Sequence, residues 1–422
     1  MTGTGAGERF AGGRWLMLFM LLVVYAVNFL DRQILSILKE PIAAELGLDD
    51  EQLGLMGGLA FALLYTTLAV PAGWLADRTS RVWIITGALA LWSGFTALCG
   101  LATNFWQLFA ARMGVGVGEA GGVAPAYSLI ADYFPPPLRA SAMAIFSFGI
   151  PVGSACGVLA GGLLAAHIDW RWAFLAMGAG GVLLAPVFRL VVKEPVRARP
   201  DAVGQPAMRF SAVIQLAASK PSFWLMSLGT ACASMVGYGI MYWMPTFLAR
   251  SLGMDLVSRS WLFAGLLLIS GIIGMSLGGF LADRLGARHK GAYALVPALA
   301  FLASAALYLL GVMAQTPLQA FLLFLAPQAL GLVWLGPVVA AVQHLGPAAS
   351  RSLMSSLFLL VNNLIGIALG TYAFGKLSEI LKPHYGAESI RYAFLYALSF
   401  YVLAAVLLIL AARRLKKDWV EE

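Results

Sequence analysis

The sequence predicts an all-α membrane protein with twelve transmembrane helices in two six-helix halves, and three observations carry this. Only 11% of the 422 residues are charged while 60% are hydrophobic, where a soluble domain carries about 25% charged residues. Apolar stretches of about 20 residues or more, the length that crosses a bilayer as a helix, recur twelve times. The one long polar interruption, Lys193 to Lys220, leaves six stretches on either side.

Taken in order, the first half spans the bilayer near residues 14–38, 50–76, 82–102, 104–133, 139–167 and 171–192. The second half does so near 221–249, 258–282, 291–313, 317–343, 352–376 and 391–412. The expected organisation is a first bundle over 1–192, a cytoplasmic linker over 193–220 and a second bundle over 221–422. Within the linker, Phe210, Val213, Ile214 and Ala217 recur at helical spacing beside Arg209 and Gln215, a pattern for an interfacial helix. The first stretch ends at Asn28-Phe29-Leu30-Asp31-Arg32 without a small-residue cleavage site, so it is expected to remain as the first span. With the N-terminus inside, 18 of the 28 Lys and Arg residues fall at cytoplasmic ends against seven outside, which predicts both termini in the cytoplasm. The net charge of +8 is spread over short loops and does not point to nucleic acid. Cys99, Cys156 and Cys232 lie in separate apolar stretches and read as buried small hydrophobes, not as a disulfide or metal set. The absence of any N-x-S/T sequon and the short termini favour a bacterial inner membrane.

The chemistry concentrates in the fourth stretch. Arg112 and Glu119 lie inside an apolar run, where charge is expensive and marks a functional site by default. Seven residues apart, they fall on one helix face, about 10 Å apart in depth. Gly114, Gly116, Gly118, Gly121 and Gly122 surround them and allow close backbone approach. Gly116 to Gly121 satisfies G-x-G-x-x-G, but no strand precedes it, so a dinucleotide site is rejected. Asp31 and Arg32 in the first span come to about the depth of Arg112, roughly 9–12 Å below the outer surface. A contact between Asp31 and Arg112 is therefore expected, with Glu119 deeper. Desolvation and a neighbouring guanidinium act on a carboxylate's proton affinity in opposite senses, which makes it responsive to conformation. Proton coupling at Asp31, Glu119 and Arg112 follows as the expectation, and a static network tying two helices together is the plainer alternative. Gly149, Gly153, Gly157 and Gly161 recur every four residues in the fifth span, a stripe that lets another helix pack closely.

An internal repeat supports the two halves. Gly73-Trp74-Leu75-Ala76-Asp77-Arg78-Thr79-Ser80-Arg81 ends the second span, and Gly279-Phe280-Leu281-Ala282-Asp283-Arg284 ends the eighth, 206 residues later. Here the chain resembles the major facilitator superfamily, whose loop motif is G-x-L-A-D-R-x-G-R-R; the first copy departs in having Ser80 for Gly and Val82 after Arg81. The resemblance sharpens through Asn28 to Arg32, Arg112 to Ala120, Ala124-Pro125 with Ser128 to Phe134, Ile150 to Ser154, Lys220 to Phe223, and Trp243-x-Pro245-x-Phe247-Leu248. Together these are similar to the Spinster family. That resemblance implies two halves related by pseudo-two-fold symmetry, a cargo of lysophospholipid or sphingosine-phosphate type, and proton coupling. It also implies a cytoplasmic gate latch made by Asp77, Arg78, Arg81, Asp283 and Arg284.

The second half carries little interior charge but offers Tyr238, Tyr242, Trp243, Gln328, Trp334, Asn362 and Asn363. The expected substrate contacts are Asn28, Arg32, Arg112 and Glu119 on the first half, and Tyr238, Tyr242 and Asn362 on the second. An amphiphile with an anionic head suits such a wall, because a guanidinium binds phosphate bidentately. A smaller organic anion or a drug is the alternative cargo. An enzyme lacks parts: there is no G-x-S-x-G, no H-E-x-x-H and no Cys–His cluster. A passive channel suits the two-half repeat less well than alternating access does. The expected protein is a monomeric carrier without cofactor or metal, whose partners are its amphiphilic substrate, protons and the bilayer.

Overall fold

The computed structural model describes residues 13–76, 78–195, 210–286, 289–347 and 350–420, all in helices, turns and short connections. The first part of the chain forms α1 (Arg14–Leu46), α2 (Asp50–Gly57), α3 (Leu59–Ala76), α4 (Arg81–Cys99), α5 (Phe105–Glu119), α6 (Val123–Tyr133), α7 (Pro136–Ser147), α8 (Gly149–His167) and α9 (Trp170–Val191). Helix α10 (Phe210–Ser219) lies in the linker. Then come α11 (Pro221–Arg250), α12 (Leu256–Gly286), α13 (Ala292–Val312), α14 (Pro317–Leu330), α15 (Leu335–Gln343), α16 (Arg351–Asn363), α17 (Gly370–Tyr385) and α18 (Ser389–Asp418). Starts are capped by side chains that take orphan amides: Asp49 with Gln52 in a capping box at α2, Ser80 at α4, Asn104 at α5, Asp169 at α9 and Thr316 at α14.

Ten helical runs among the described residues are long and apolar enough to cross a membrane. The last of them, Leu353–Asp418, turns back at Gly386, where φ is +56°, and so holds two crossings. The twelfth is α5 with α6, interrupted at residues 120–122 directly after Glu119. A matching interruption divides α14 from α15 at residues 331–334, and a π-helical turn, Leu364–Leu369, joins α16 to α17. Irregular backbone at membrane depth is tolerated only where protein or water satisfies it.

Two compact units emerge: Met1–Leu48 with Ala60–Asp201, and Asp49–Leu59 with Ala202–Glu422. In the first, the glycine stripe of α8 meets α1. A Cβ on Gly153 would run into the carbonyl oxygen of Ala26, and one on Gly157 would lie 2.5 Å from that of Leu30. Gly153→Leu is therefore expected to cost about 2–3 kcal/mol through overpacking, read as a fall in the thermal midpoint. Gly94→Ala, where nothing lies within 4 Å of the added carbon, should hold the midpoint or raise it slightly, since alanine favours the helix interior.

In the second unit, α11 is the axis: its Phe247 stacks on Phe394 of α18, which Phe374 of α17 meets edge to face, and the Trp243 indole donates to the Thr371 carbonyl at 2.8 Å. Helix α2 is bound to this unit by charge. Arg250 holds Asp50 bidentately at 2.7 and 2.8 Å, Ser378 adds a third bond at 2.7 Å, and Lys376 pairs with Glu51 at 2.7 Å. Helix α1 also runs further than its hydropathy suggests, through Pro41 to Leu46, so that Lys39 is fully buried and is no loop residue.

Candidate functional site

Three helical stripes build the centre of the first unit. On α1 the stripe is Leu21, Val24, Tyr25, Asn28, Asp31 and Arg32; on α4 it is Ile85, Trp92, Thr96 and Cys99; and Arg112, Glu119, Gly122, Val123 and Ala126 follow along α5 and α6. Their three- and four-residue spacing puts each set on one helix face. Glycines let the helices close in: a Cβ on Gly116 would sit 2.6 Å from the Phe61 carbonyl, and one on Gly118 would sit 2.5 Å from the Trp92 amide. As a result Asp31 and Glu119 are fully buried, Arg112 is 2% exposed and Asn28 is 3% exposed.

The charge pairing differs from the expected Asp31–Arg112 contact. Arg32 Nε makes the ion pair with Glu119 Oε2 at 2.7 Å. Its guanidinium lies in an aromatic cage, 4.9 Å from Phe29, 4.6 Å from Phe61 and 4.7 Å from Tyr65. Arg112 donates to the main-chain carbonyl of Asp31 at 3.3 Å, not to its carboxylate. The reason is geometric: consecutive residues on a helix point about 100° apart. With Arg32 turned to Glu119, Asp31 turns to α4, where Trp92 and Thr96 face it and Arg112 and Cys99 lie within electrostatic reach. The Trp92 indole and the Thr96 hydroxyl are turned to the Asp31 carboxylate without closing to full hydrogen-bond geometry. The cage residues Phe61 and Tyr65 were legible only as an i,i+4 aromatic pair, and Trp92 and Thr96 as ordinary span residues.

At the far end of the same unit, Arg81 is the organising cation. It is 3% exposed and binds Glu194 at 2.9 Å, Asp132 at 2.5 Å and the Ser128 hydroxyl at 2.8 Å. Glu194 also accepts from the Ser80 hydroxyl and the Val82 amide, closing the first turn of α4. Arg78 instead stacks on Trp74 at 4.0 Å. Asp77 lies outside the described residues, as do the side chains of Asp283 and Arg284, whose backbone belongs to α12. Burial acts to raise the Glu194 carboxyl, but the Val82 amide, Arg81 and Ser80 outweigh it and hold the group below the usual glutamate value. A depressed carboxyl stabilises above its unfolded-state value, about 4.3, and that contribution is lost as pH falls through the lower folded value. Glu194→Gln is expected to lower the thermal midpoint at neutral pH by about 3 °C, with the gap closing as the pH falls below about 4. A gap independent of pH would refute the ionic clasp.

The second-unit candidates stand as follows. Asn362, 1% exposed, accepts from the Ser234 hydroxyl at 3.0 Å, and half-buried Tyr238 flanks the π-helical turn at Gly366. Tyr242, 6% exposed, donates to the Leu53 carbonyl at 2.8 Å and fills the space beside Gly57, so here it works as a packing residue. Among the described residues no group of three His, Cys, Asp or Glu side chains is placed to hold a metal ion.

The profile of the Major Facilitator Superfamily matches residues 21–371. Protein spinster homolog 1 of Mus musculus is 30% identical over 393 residues, 88% of this chain and 74% of that one. The chain belongs to the Spinster family of the major facilitator superfamily. An "MFS-type efflux pump" of Mycolicibacterium smegmatis is 31% identical over 411 residues, 97% of this chain and 95% of that one. A solved bacterial homologue of the human lysosomal transporter Spinster, inward-facing and unoccupied, superposes with a TM-score of 0.88 at 29% identity, over 97% of this chain and 99% of that one. This Spinster-family chain is thus a multi-pass membrane transporter, not an enzyme.

Proposed function

We propose that this transporter works by alternating access, coupled to protons, and moves an amphiphilic lipid with an anionic head, of lysophospholipid or sphingosine-phosphate type. The observation that carries the reading is the charge balance of the buried cluster. Asp31, Glu119, Arg32 and Arg112 sum to zero when all are ionised, and only Arg32 and Glu119 are paired side chain to side chain. One added proton leaves a net positive charge in a place where charge is costly, and an anionic head restores neutrality. Proton and substrate thereby favour each other through a shared partner. Asn28 beside Glu119 would orient the head, with Tyr238, Tyr242 and Asn362 as contacts from the second unit in a state that frees them.

The same reading places both termini in the cytoplasm of a bacterial inner membrane and the protein as a monomer, with Asp77, Arg78, Arg81, Asp283 and Arg284 forming the cytoplasmic latch. The relative named an efflux pump favours a second cargo, a smaller organic anion or drug moved outward on the same scaffold. Uptake of a substrate panel into proteoliposomes under an imposed pH gradient tests both. Gradient-driven flux of lysolipids supports the first reading, gradient-driven flux of small anions alone supports the second, and flux that neither saturates nor follows the gradient refutes coupling.

A further inference from the structure

We infer that Asp418, Trp419 and Val420, where α18 ends, form a strap that ties the half-helix α15 to the starts of α11 and α13, and that α15 pivots about the break at 331–334 once the strap is off. All of its parts lie in the second unit, and neither the cargo nor the proton coupling proposed above enters.

Each residue of the strap supplies something a helix terminus lacks. Helix α11 follows Lys220 and begins at Pro221 without a side-chain cap of its own. Asp418, 196 residues away from Ser222, takes that place: its carboxylate accepts from the Ser222 amide at 3.1 Å and from the Ser222 hydroxyl. Lys220 Nζ in turn donates to the Asp418 carbonyl at 3.0 Å, which sets a cation at the last turn of α18. At Trp419 ψ opens to 130° and the chain leaves the helix. Its indole stacks on His344, ring centroids 4.5 Å apart, and on Tyr293 at 5.6 Å, with Lys290 Nζ 5.5 Å from the same ring. The Val420 amide then donates at 2.9 Å to the carbonyl of His344, the residue that closes α15.

These contacts join unequal partners. Helix α18 packs along both α11 and α13, and a Cβ on Gly291 would sit 3.2 Å from the Ala412 carbonyl, so the three form one close-packed wall. Helix α15 has only nine residues and is cut off from α14. Across the break the ladder tightens to i→i−3 bonds, from Leu332 to Ala329 and Val333 to Leu330 at 3.1 Å and from Leu335 to Leu332 at 3.3 Å. Pro337, in the first turn of α15, has no N–H to restore the ladder. A tightened stretch inside a span marks a hinge. The strap grips α15 at His344, about 14 Å along the helix from that hinge, where a hold has the longest lever.

Two measurements decide. Amide hydrogen exchange of the full-length protein in detergent micelles compares wild type with Trp419→Ala. Exchange across 335–343 should quicken about ten-fold while 317–330 keeps its rate, because only the strapped half is released. Trp419→Phe keeps a stacking ring and should bring the rate back to within about two-fold of wild type. Unchanged exchange in α15, or a rise spread evenly over the second unit, overturns the strap. Spin labels at Leu318→Cys and Ala340→Cys, in protein with Cys99, Cys156 and Cys232 replaced by alanine, read the geometry between the two half-helices. Trp419→Ala should shift or broaden that distance by about 3 Å or more. A wild-type distance distribution beside faster exchange in α15 overturns the pivot.

Discussion

Asp31→Asn is expected to abolish uphill transport driven by a pH gradient while the helices stay folded. The carboxylate is fully buried and faces the Trp92 indole and the Thr96 hydroxyl, with no cationic side chain bonded to either oxygen. An isosteric amide keeps the shape and removes the proton-binding group, so exchange without a gradient should survive. Glu119→Gln should also lose coupling, but at a different structural cost. Glu119 carries the ion pair with Arg32, and removing one partner of a buried pair strands the other, at about 3 kcal/mol or less given the 15% exposure of Arg32. The thermal midpoint should therefore fall more for Glu119→Gln than for Asp31→Asn. Gradient-driven flux in proteoliposomes, beside thermal unfolding of the same preparations, reads both. Wild-type dependence on the gradient in both variants would remove these carboxylates from the coupling machinery.

What the sequence exposed and what it hid divide along one physical line. Properties local to one helix were legible. Arg112 and Glu119 stand out because ionised residues are rare in an apolar stretch, and the α8 stripe because four-residue spacing lines one face. The break after Glu119 sits in a glycine-rich stretch that also allows close helix packing. Pairings across helices were not legible. Depth alone matched Asp31 to Arg112, yet the rotation between consecutive residues sent Arg32 to Glu119 and Asp31 toward α4. Glu194 reads as a linker charge until Arg81 and the first turn of α4 close on it. Asp50 reads as part of an acidic outer loop, but it is 2% exposed and held by Arg250, 200 residues away. Lys39 looks like a loop cation because hydropathy falls at Glu40 and Pro41, whereas the helix runs on and buries it. Such partners are set by how helices rotate and cross, which no single stretch of sequence encodes.

Arg32→Ala is expected to weaken binding of an anionic amphiphile far more than binding of an uncharged analogue of the same tail. Of the two central cations, Arg32 is the reachable one: its side chain is 15% exposed, while Arg112 is 2% exposed. Phe29, Phe61 and Tyr65 hold its guanidinium in place, so little side-chain freedom remains to be lost when an anion docks. Glu119 occupies one edge of the fork in this state, and protonation of Glu119 would release it for phosphate. A charge-assisted, bidentate contact of that kind is worth about 2–3 kcal/mol, some 30- to 150-fold in affinity. Arg32→Lys should recover only part of it, because a single ammonium cannot reproduce the planar fork. The comparison must use variants shown to unfold near the wild-type temperature, since losing Arg32 also strands Glu119. Titration of a lysophospholipid against its neutral monoacylglycerol counterpart, at two pH values, separates the effects. A larger loss for the charged ligand, growing as pH falls, is the expected result. Equal losses for both ligands in well-folded protein would refute anion docking at Arg32 and favour the smaller, hydrophobically held cargo.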